Sequence, residues 1–287
     1  MNALSAFFER YSLILFFVLT ILLSYAITPL LSYAIRLQIL PPDVESSLVV
    51  LVPSIIAIFL AGMTGGRKGV AGLLKKLVQG RVRFKWYAIT LIVALAVRLS
   101  VSLLALVLGW IPRIQIRSWT PAQFIAFFVL LYIAAALEEV GWRGFALPKL
   151  LAQRSALFSS LLIGVLWGTV HLALHLPGLM LSAFPWPATL IELIGLSVII
   201  TWLFVNTGGS LVIASLYHAA QSFFVIVNEG ISGPQLSWLL AISNLALVLI
   251  LVLVSGPALR RGPSSYPAGV GEIQPAGPQA EAGKRVG

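Results

Sequence analysis

The chain has 287 residues, of which 59% are hydrophobic and only 10% charged, with no cysteine and a formal net charge of +10. A soluble domain carries about 25% charged residues, so this composition excludes a soluble globular protein; the lack of cysteine excludes a disulfide framework, a thiol nucleophile and thiolate metal ligands. The positive charge does not point to nucleic acid, because basic loops are what a membrane protein uses to fix its orientation.

A membrane-crossing helix needs roughly 20 apolar residues. On that scale the sequence predicts an all-α polytopic membrane bundle of about eight transmembrane helices. They fall at about 11–35, 47–63, 86–110, 121–138, 156–175, 187–205, 210–227 and 235–255. The first run is too long for the apolar core of a signal peptide, about 7–15 residues, and reads as a span. The second follows Pro41-Pro42 and an acidic loop with Asp43 and Glu45. Thr120 and Pro121 supply an N-cap and a first-turn proline for the fourth. Gly208-Gly209 separates the sixth from the seventh, and the seventh carries the polar residues His218, Gln221 and Ser222. Gly69 to Lys76 has the pattern of a short amphipathic surface helix. From Gly256 onward the chain is rich in Pro, Gly, Ser and Ala without periodicity. The expected organisation is therefore a membrane domain over 1–255 and a disordered cytoplasmic tail over 256–287.

Basic residues set the orientation. The loop from Met63 to Lys85 holds Arg67, Lys68, Lys75, Lys76, Arg81, Arg83 and Lys85. With that loop cytoplasmic, eight spans put both termini inside. Fifteen Lys and Arg then lie inside and three, Arg36, Arg113 and Arg117, outside, with Arg98 within a span. This asymmetry supports the span count as well as the orientation.

Inside or at the ends of the spans the informative polar residues are few: Arg98, Glu138, Glu139, His171, His175, Glu192, His218, Gln221 and Ser222. Glu138 and Glu139 end a run from Trp119 that carries no other charge. A carboxylate near hydrocarbon must be paired or neutralised. On a helix Glu139 and Arg143 are i,i+4 neighbours and form an ion pair. Glu138 then points about 100° away and is free for other work. For Glu138 to meet His171, the fourth helix must run past Glu139 or the fifth must start late. His175 precedes Leu176-Pro177 and reads as a helix-end residue bonding to carbonyls. Glu192 either faces a cavity or pairs with Arg98. Ser222 and Gln221 read equally as interhelical glue. His171 and His175 have metal-ligand spacing, but Leu172 stands where a zinc protease carries its glutamate. Glu138, His171 and His218 remain candidate ligands for a divalent metal such as zinc, or hold a water without one.

The run Glu138-Glu139-Val140-Gly141-Trp142-Arg143-Gly144-Phe145 resembles the EExxxR motif of the CAAX protease and bacteriocin-processing (CPBP, Abi-like) family of intramembrane proteases. Trp167-Gly168-Thr169-Val170-His171 is similar to that family's second motif. Thr207-Gly208-Gly209-Ser210 with His218 resembles the last. The resemblance covers about 119–225 and implies an eight-helix or similar bundle that cleaves peptide bonds in the membrane. It implies Glu138 as the base that activates water, His171 as its partner and His218 as the oxyanion donor, with Glu139 and Arg143 bracing them. The family's Asn four residues after the last His is Ser222 here, so Ser222 or Gln221 would supply that polar contact.

Hydrolysis of an amide needs an activated water, a proton for the leaving amine and stabilisation of the oxyanion. These residues can supply all three. The expected function is a glutamate-dependent intramembrane endopeptidase in a prokaryotic plasma membrane, acting on a membrane-associated peptide or protein, with the bilayer as its other partner. The alternatives are a catalytically weak binding, immunity or scaffold protein on the same fold, and a proton-coupled transporter.

Overall fold

The computed structural model describes residues 3–39, 48–78, 82–176, 179 and 181–260. Asp43 and Glu45 lie outside these, as do 261–287 of the expected tail. The described residues are all-helical. α1 (Ala3–Arg36) is followed by α2 (Val52–Lys75), α3 (Phe84–Val107) and α4 (Pro121–Glu139). A π-helical turn (Val140–Ala146) joins α4 to α5 (Leu147–Leu151). Then come α6 (Ala156–Leu172), α7 (Trp186–Asn206), α8 (Leu211–Phe223) and α9 (Gly233–Ser255). Helices stand at all eight expected positions. Six stretches are long and apolar enough to cross a membrane, the longest two being Ala6–Arg36 and Pro121–Leu151.

The other two depart for physical reasons. α2 is broken at Gly66, whose φ of 56° and ψ of −149° suit glycine far better than any side chain. Its second arm turns back on the first, so a Cβ at Gly69 would lie 2.4 Å from the carbonyl oxygen of Ala61. The expected amphipathic segment at 69–76 is this second arm: it buries Leu73 and exposes Lys75. α8 is short, with a shorter apolar stretch, Leu211–Val227, and is largely enclosed by its neighbours.

Thr120 caps α4 as expected: its hydroxyl accepts the Gln123 N–H, and the Gln123 side chain accepts from the Thr120 N–H. The outer part of α4 turns Ile125, Val129, Leu130 and Ile133 outward, the surface a bilayer covers. Small residues set the close helix crossings. A Cβ on Gly164 would lie 2.7 Å from the Cα of Ile194, and one on Gly195 would lie 2.8 Å from the Cβ of Asn244. Van der Waals contact at such notches holds helices together where lipid supplies no hydrophobic drive. The first residues after α9 are also packed: Leu157 N–H donates to the Pro257 carbonyl, and Asn206 to the Leu259 carbonyl.

The wide π turn positions the site. Its seven residues are all buried. A Cβ on Gly141 would fall 2.6 Å from the carbonyl carbon of Pro53, so only glycine lets α2 come this close. Ser54 on α2 donates to the Leu137 carbonyl, just before the two glutamates. Farther along, the Gly144 carbonyl would meet Pro148 four residues on, which has no N–H. Lys76 fills the gap: its Nζ donates to Gly144 O at 2.8 Å. Two ends of α2 thus grip the helix that carries the carboxylates.

Candidate active site

The helix does run past Glu139, one of the two ways expected for Glu138 to approach α6. Glu138, Glu139 and Arg143 are all buried, the last two with no exposed surface. Glu139 and Arg143 form the expected ion pair, with Nη1 2.9 Å from Oε2 and 3.1 Å from Oε1. The Oε1 contact is the well-directed hydrogen bond; Oε2 makes an ion-pair contact only. Glu139 Oε1 also receives His218 Nδ1 at 2.9 Å. A carboxylate oxygen only accepts, so His218 carries its proton on Nδ1 and turns Nε2 toward Glu138. His218 Nε2 stands 3.9 Å from Glu138 Oε2. That is too long for a direct hydrogen bond and within reach of one shared water, whose bonds run about 2.8 Å.

The other oxygen of Glu138 is held by two indoles. Trp167 Nε1 donates to Oε1 at 2.6 Å, and Trp142 Nε1 approaches the same atom at 3.4 Å. Both rings are fully buried. Trp167 is the hub of the cluster. Its ring meets His218 edge-on at 5.2 Å and His171 at 5.7 Å, and Arg143 lies 4.9 Å over its face. His171 Nδ1 contacts the Trp167 carbonyl at 3.1 Å. A carbonyl only accepts, so His171 also carries its proton on Nδ1, leaving Nε2 open. His171 is half-buried and close enough to feel the charges of Glu138 and His218.

The remaining candidates are distributed as follows. The Gln221 amide faces away from the carboxylates, bonding to Tyr217 Oη at 3.0 Å and to the Ala94 carbonyl on α3. Ser222 is half-buried, and no hydrogen bond of its hydroxyl occurs among the described residues. His175 bonds through Nδ1 to the Phe184 carbonyl at 3.1 Å, tying the end of α6 to the approach of α7. Arg98 caps the far end of α8, donating to Gln221 O at 2.6 Å and to Asn228 Oδ1 at 3.4 Å. Glu192 acts on Arg98 through space, without an ion pair within 4.0 Å. A small groove of about 280 Å³ lies between α6 and α7, lined by Gly168, Leu172, His175 and Trp186 among others. It lies on a different face of α6 from Trp167 and His171.

No group of three His, Asp or Glu side chains is disposed to hold a metal ion among the described residues. Glu138 Oε1 is taken by indoles, and both Nδ1 atoms are committed to oxygen acceptors. Their open atoms are Glu138 Oε2 and the two Nε2, the atoms that would hold a water or a metal ion, since a metal-bound histidine commonly bonds its other nitrogen to an oxygen acceptor.

The family model described as "Type II CAAX prenyl endopeptidase Rce1-like" matches residues 118–224, from the approach to α4 to the end of α8. Over that segment, less than half of its length, the chain is similar to that family. A curated relative, the CAAX prenyl protease 2 of Methanococcus maripaludis, is 26% identical over 114 residues. That match covers 37% of this chain and 41% of the relative, so less than half of either protein is compared. The Rce1-like segment contains every residue of the cluster around Trp167, while α1, α2, α3 and α9 lie outside it.

Sequence reasoning missed the two indole donors. Trp142 stands four residues after Glu138 and Trp167 four before His171, a spacing that puts each on its partner's helix face. Trp167→Phe keeps a ring but removes the shorter bond to Glu138. Hydrogen bonds to a charged group contribute about 1.5–3 kcal/mol. In a thermal melt this variant should unfold a few degrees below wild type, with Trp142→Phe, on the longer bond, affected less. Equal melting of wild type and Trp167→Phe would refute the indole's role.

Proposed function

We propose that this protein is a glutamate-dependent intramembrane endopeptidase that hydrolyses a peptide bond of a membrane-associated protein or peptide. One observation carries the reading: Glu139 is held by the Arg143 ion pair and by hydrogen bonds from Arg143 and His218 to Oε1, while its neighbour Glu138 turns Oε2 toward His218 Nε2. The Rce1-like match over this same segment supports peptide hydrolysis. The name of the Methanococcus relative supports a membrane-anchored peptide as the substrate class.

In the proposed reaction a water sits between Glu138 Oε2, His218 Nε2 and the open Nε2 of His171. Glu138 takes a proton from that water as its oxygen attacks the scissile carbonyl. With Nδ1–H held by Glu139, the doubly protonated form of His218 is the one that donates Nε2–H to the developing oxyanion. The bond to nitrogen then breaks, and Glu138 returns its proton to the leaving amine. One water and one amide yield one carboxylic acid and one amine, which the proton released from the acid converts to a carboxylate and an ammonium. Trp167 and Trp142 hold Oε1, so the proton is handled on Oε2. No step passes through a metal, and turnover should persist in a chelator such as EDTA; loss that added zinc restores would reverse this point.

Wild-type protein in liposomes, given a panel of membrane-associated peptides, should release fragments with a new C-terminal carboxylate. No release from any peptide would favour the binding-protein reading, with Ser222 in place of the family's asparagine as its support. Solute flux driven by a pH gradient would favour a transporter.

For orientation, the basic loop at 63–85 supports a site near the cytoplasmic face with both termini inside. A single cysteine at position 75 should resist impermeant maleimide in intact cells, and efficient labelling there would invert the topology.

A further inference from the structure

We propose that Lys76 and Lys149, which contact the successive π-turn residues Gly144 and Phe145, bind the phosphate of an anionic phospholipid headgroup. That lipid would clamp the second arm of α2 against the helix bearing Glu138 and Glu139. The site lies apart from the carboxylate cluster and does not depend on the chain being a protease.

Both lysines are half-buried, unlike Arg67, Lys68 and Lys75 on the same arm, which are exposed. Lys76 spends one N–H on the orphan carbonyl of Gly144 and keeps two. Lys149 Nζ lies 5.1 Å over the Phe145 ring. No carboxylate comes within 4.0 Å of either among the described residues. Glu9 on α1 acts on Lys149 from farther away. Burial, and then the nearby Lys149 charge, hold the Lys76 ammonium below the usual lysine range. The Lys149 charge acts on Lys76, both ammoniums are partly desolvated, and an anion between them relieves that cost. Their own stretch of chain supplies no anion, since no Asp or Glu occurs between Glu45 and Glu138, and Glu9 reaches only Lys149.

The depth of the niche selects a lipid. Leu74 is 39% exposed and Val78 81% exposed on the same basic segment. Exposed apolar side chains interleaved with lysine and arginine are the pattern of a segment lying at the headgroup boundary. The general rule that basic residues collect on one side of a membrane protein accounts for the exposed cations. It does not account for a half-buried pair in contact with the π turn.

The test uses Lys76→Gln/Lys149→Gln. Glutamine at 76 keeps an N–H for Gly144 O while removing the charge. The control, Arg83→Gln/Lys85→Gln, removes the same number of charges from elsewhere on this end of the molecule. Each protein is melted in mixed micelles with phosphatidylcholine alone or with added phosphatidylglycerol, and bound lipid is counted by native mass spectrometry. Phosphatidylglycerol should raise the melting temperature of wild type and of the control, and remain bound to both. The lysine double variant should lose this stabilisation and bind phosphatidylglycerol about tenfold or more weakly. Equal binding by the double variant would overturn the proposal. Equal loss in the control would reduce it to a general surface field and overturn it too. Displacement of the lipid by millimolar inorganic phosphate would make it a soluble-anion site. If the double variant does not fold, Lys149→Gln alone, whose lysine bonds no backbone group, decides the matter by the same readout.

Discussion

Glu138→Gln is expected to fold as wild type does and to lose peptide cleavage. The amide oxygen can still accept from Trp167, now at 2.6 Å from Oε1, and the side chain keeps its size in a buried position. The amide nitrogen would face His218 Nε2 across the 3.9 Å gap, where it can donate but cannot take a proton from water. Loss of a general base costs about 10²–10⁴ in rate. The comparison is fragment release by the two proteins normalised for folded amount, with a thermal melt showing that the fold is kept. Wild-type turnover by Glu138→Gln would exclude Glu138 as the base.

Glu139→Gln should fail differently, through stability as well as rate. Arg143 is wholly buried, and among the described residues its Nε and Nη2 have no hydrogen-bond partner. Its charge is balanced by Glu139 and by the face of Trp167. Removing the carboxylate leaves a buried cation uncompensated, a change that costs about 3–5 kcal/mol. It also takes the charged acceptor from His218 Nδ1. The variant should express poorly or melt well below wild type. Glu139→Gln/Arg143→Met, which removes both charges, should regain much of the lost stability without regaining activity. If Glu139→Gln melted like wild type, the ion pair would not brace the site.

Much of this was legible because it is local. The apolar runs gave the helix positions, and the i,i+4 rule gave Glu139–Arg143 and left Glu138 pointing elsewhere. His218 was legible as a rare polar residue in a span, but its bond to Glu139 depends on how α8 crosses α4, and no spacing encodes a crossing. The donor role of Trp167 was hidden for the same reason: the motif marks an aromatic residue there, but its N–H reaches a carboxylate on another helix. The fold-back of α2 turns on one glycine, Gly66, in a run with several glycines and no local sign of which one bends. The open question of Glu192 and Arg98 resolves through Gln221 O and Asn228, which hold Arg98 directly and leave Glu192 at a distance. Gln221, read as a possible oxyanion contact, spends its amide on Tyr217 and α3, so Ser222 is left as the open polar group on that helix face.

The most direct measurement is the fate of solvent oxygen. The enzyme is cycled through many turnovers in water enriched in ¹⁸O, and both the released peptide and the peptide containing Glu138 are weighed by mass spectrometry. If Glu138 acts on water as a base, each new C-terminal carboxylate gains one ¹⁸O and the Glu138 side chain gains none. If ¹⁸O accumulates in the Glu138 carboxylate, Glu138 has bonded covalently to the substrate carbonyl, and its role as the base for water is contradicted.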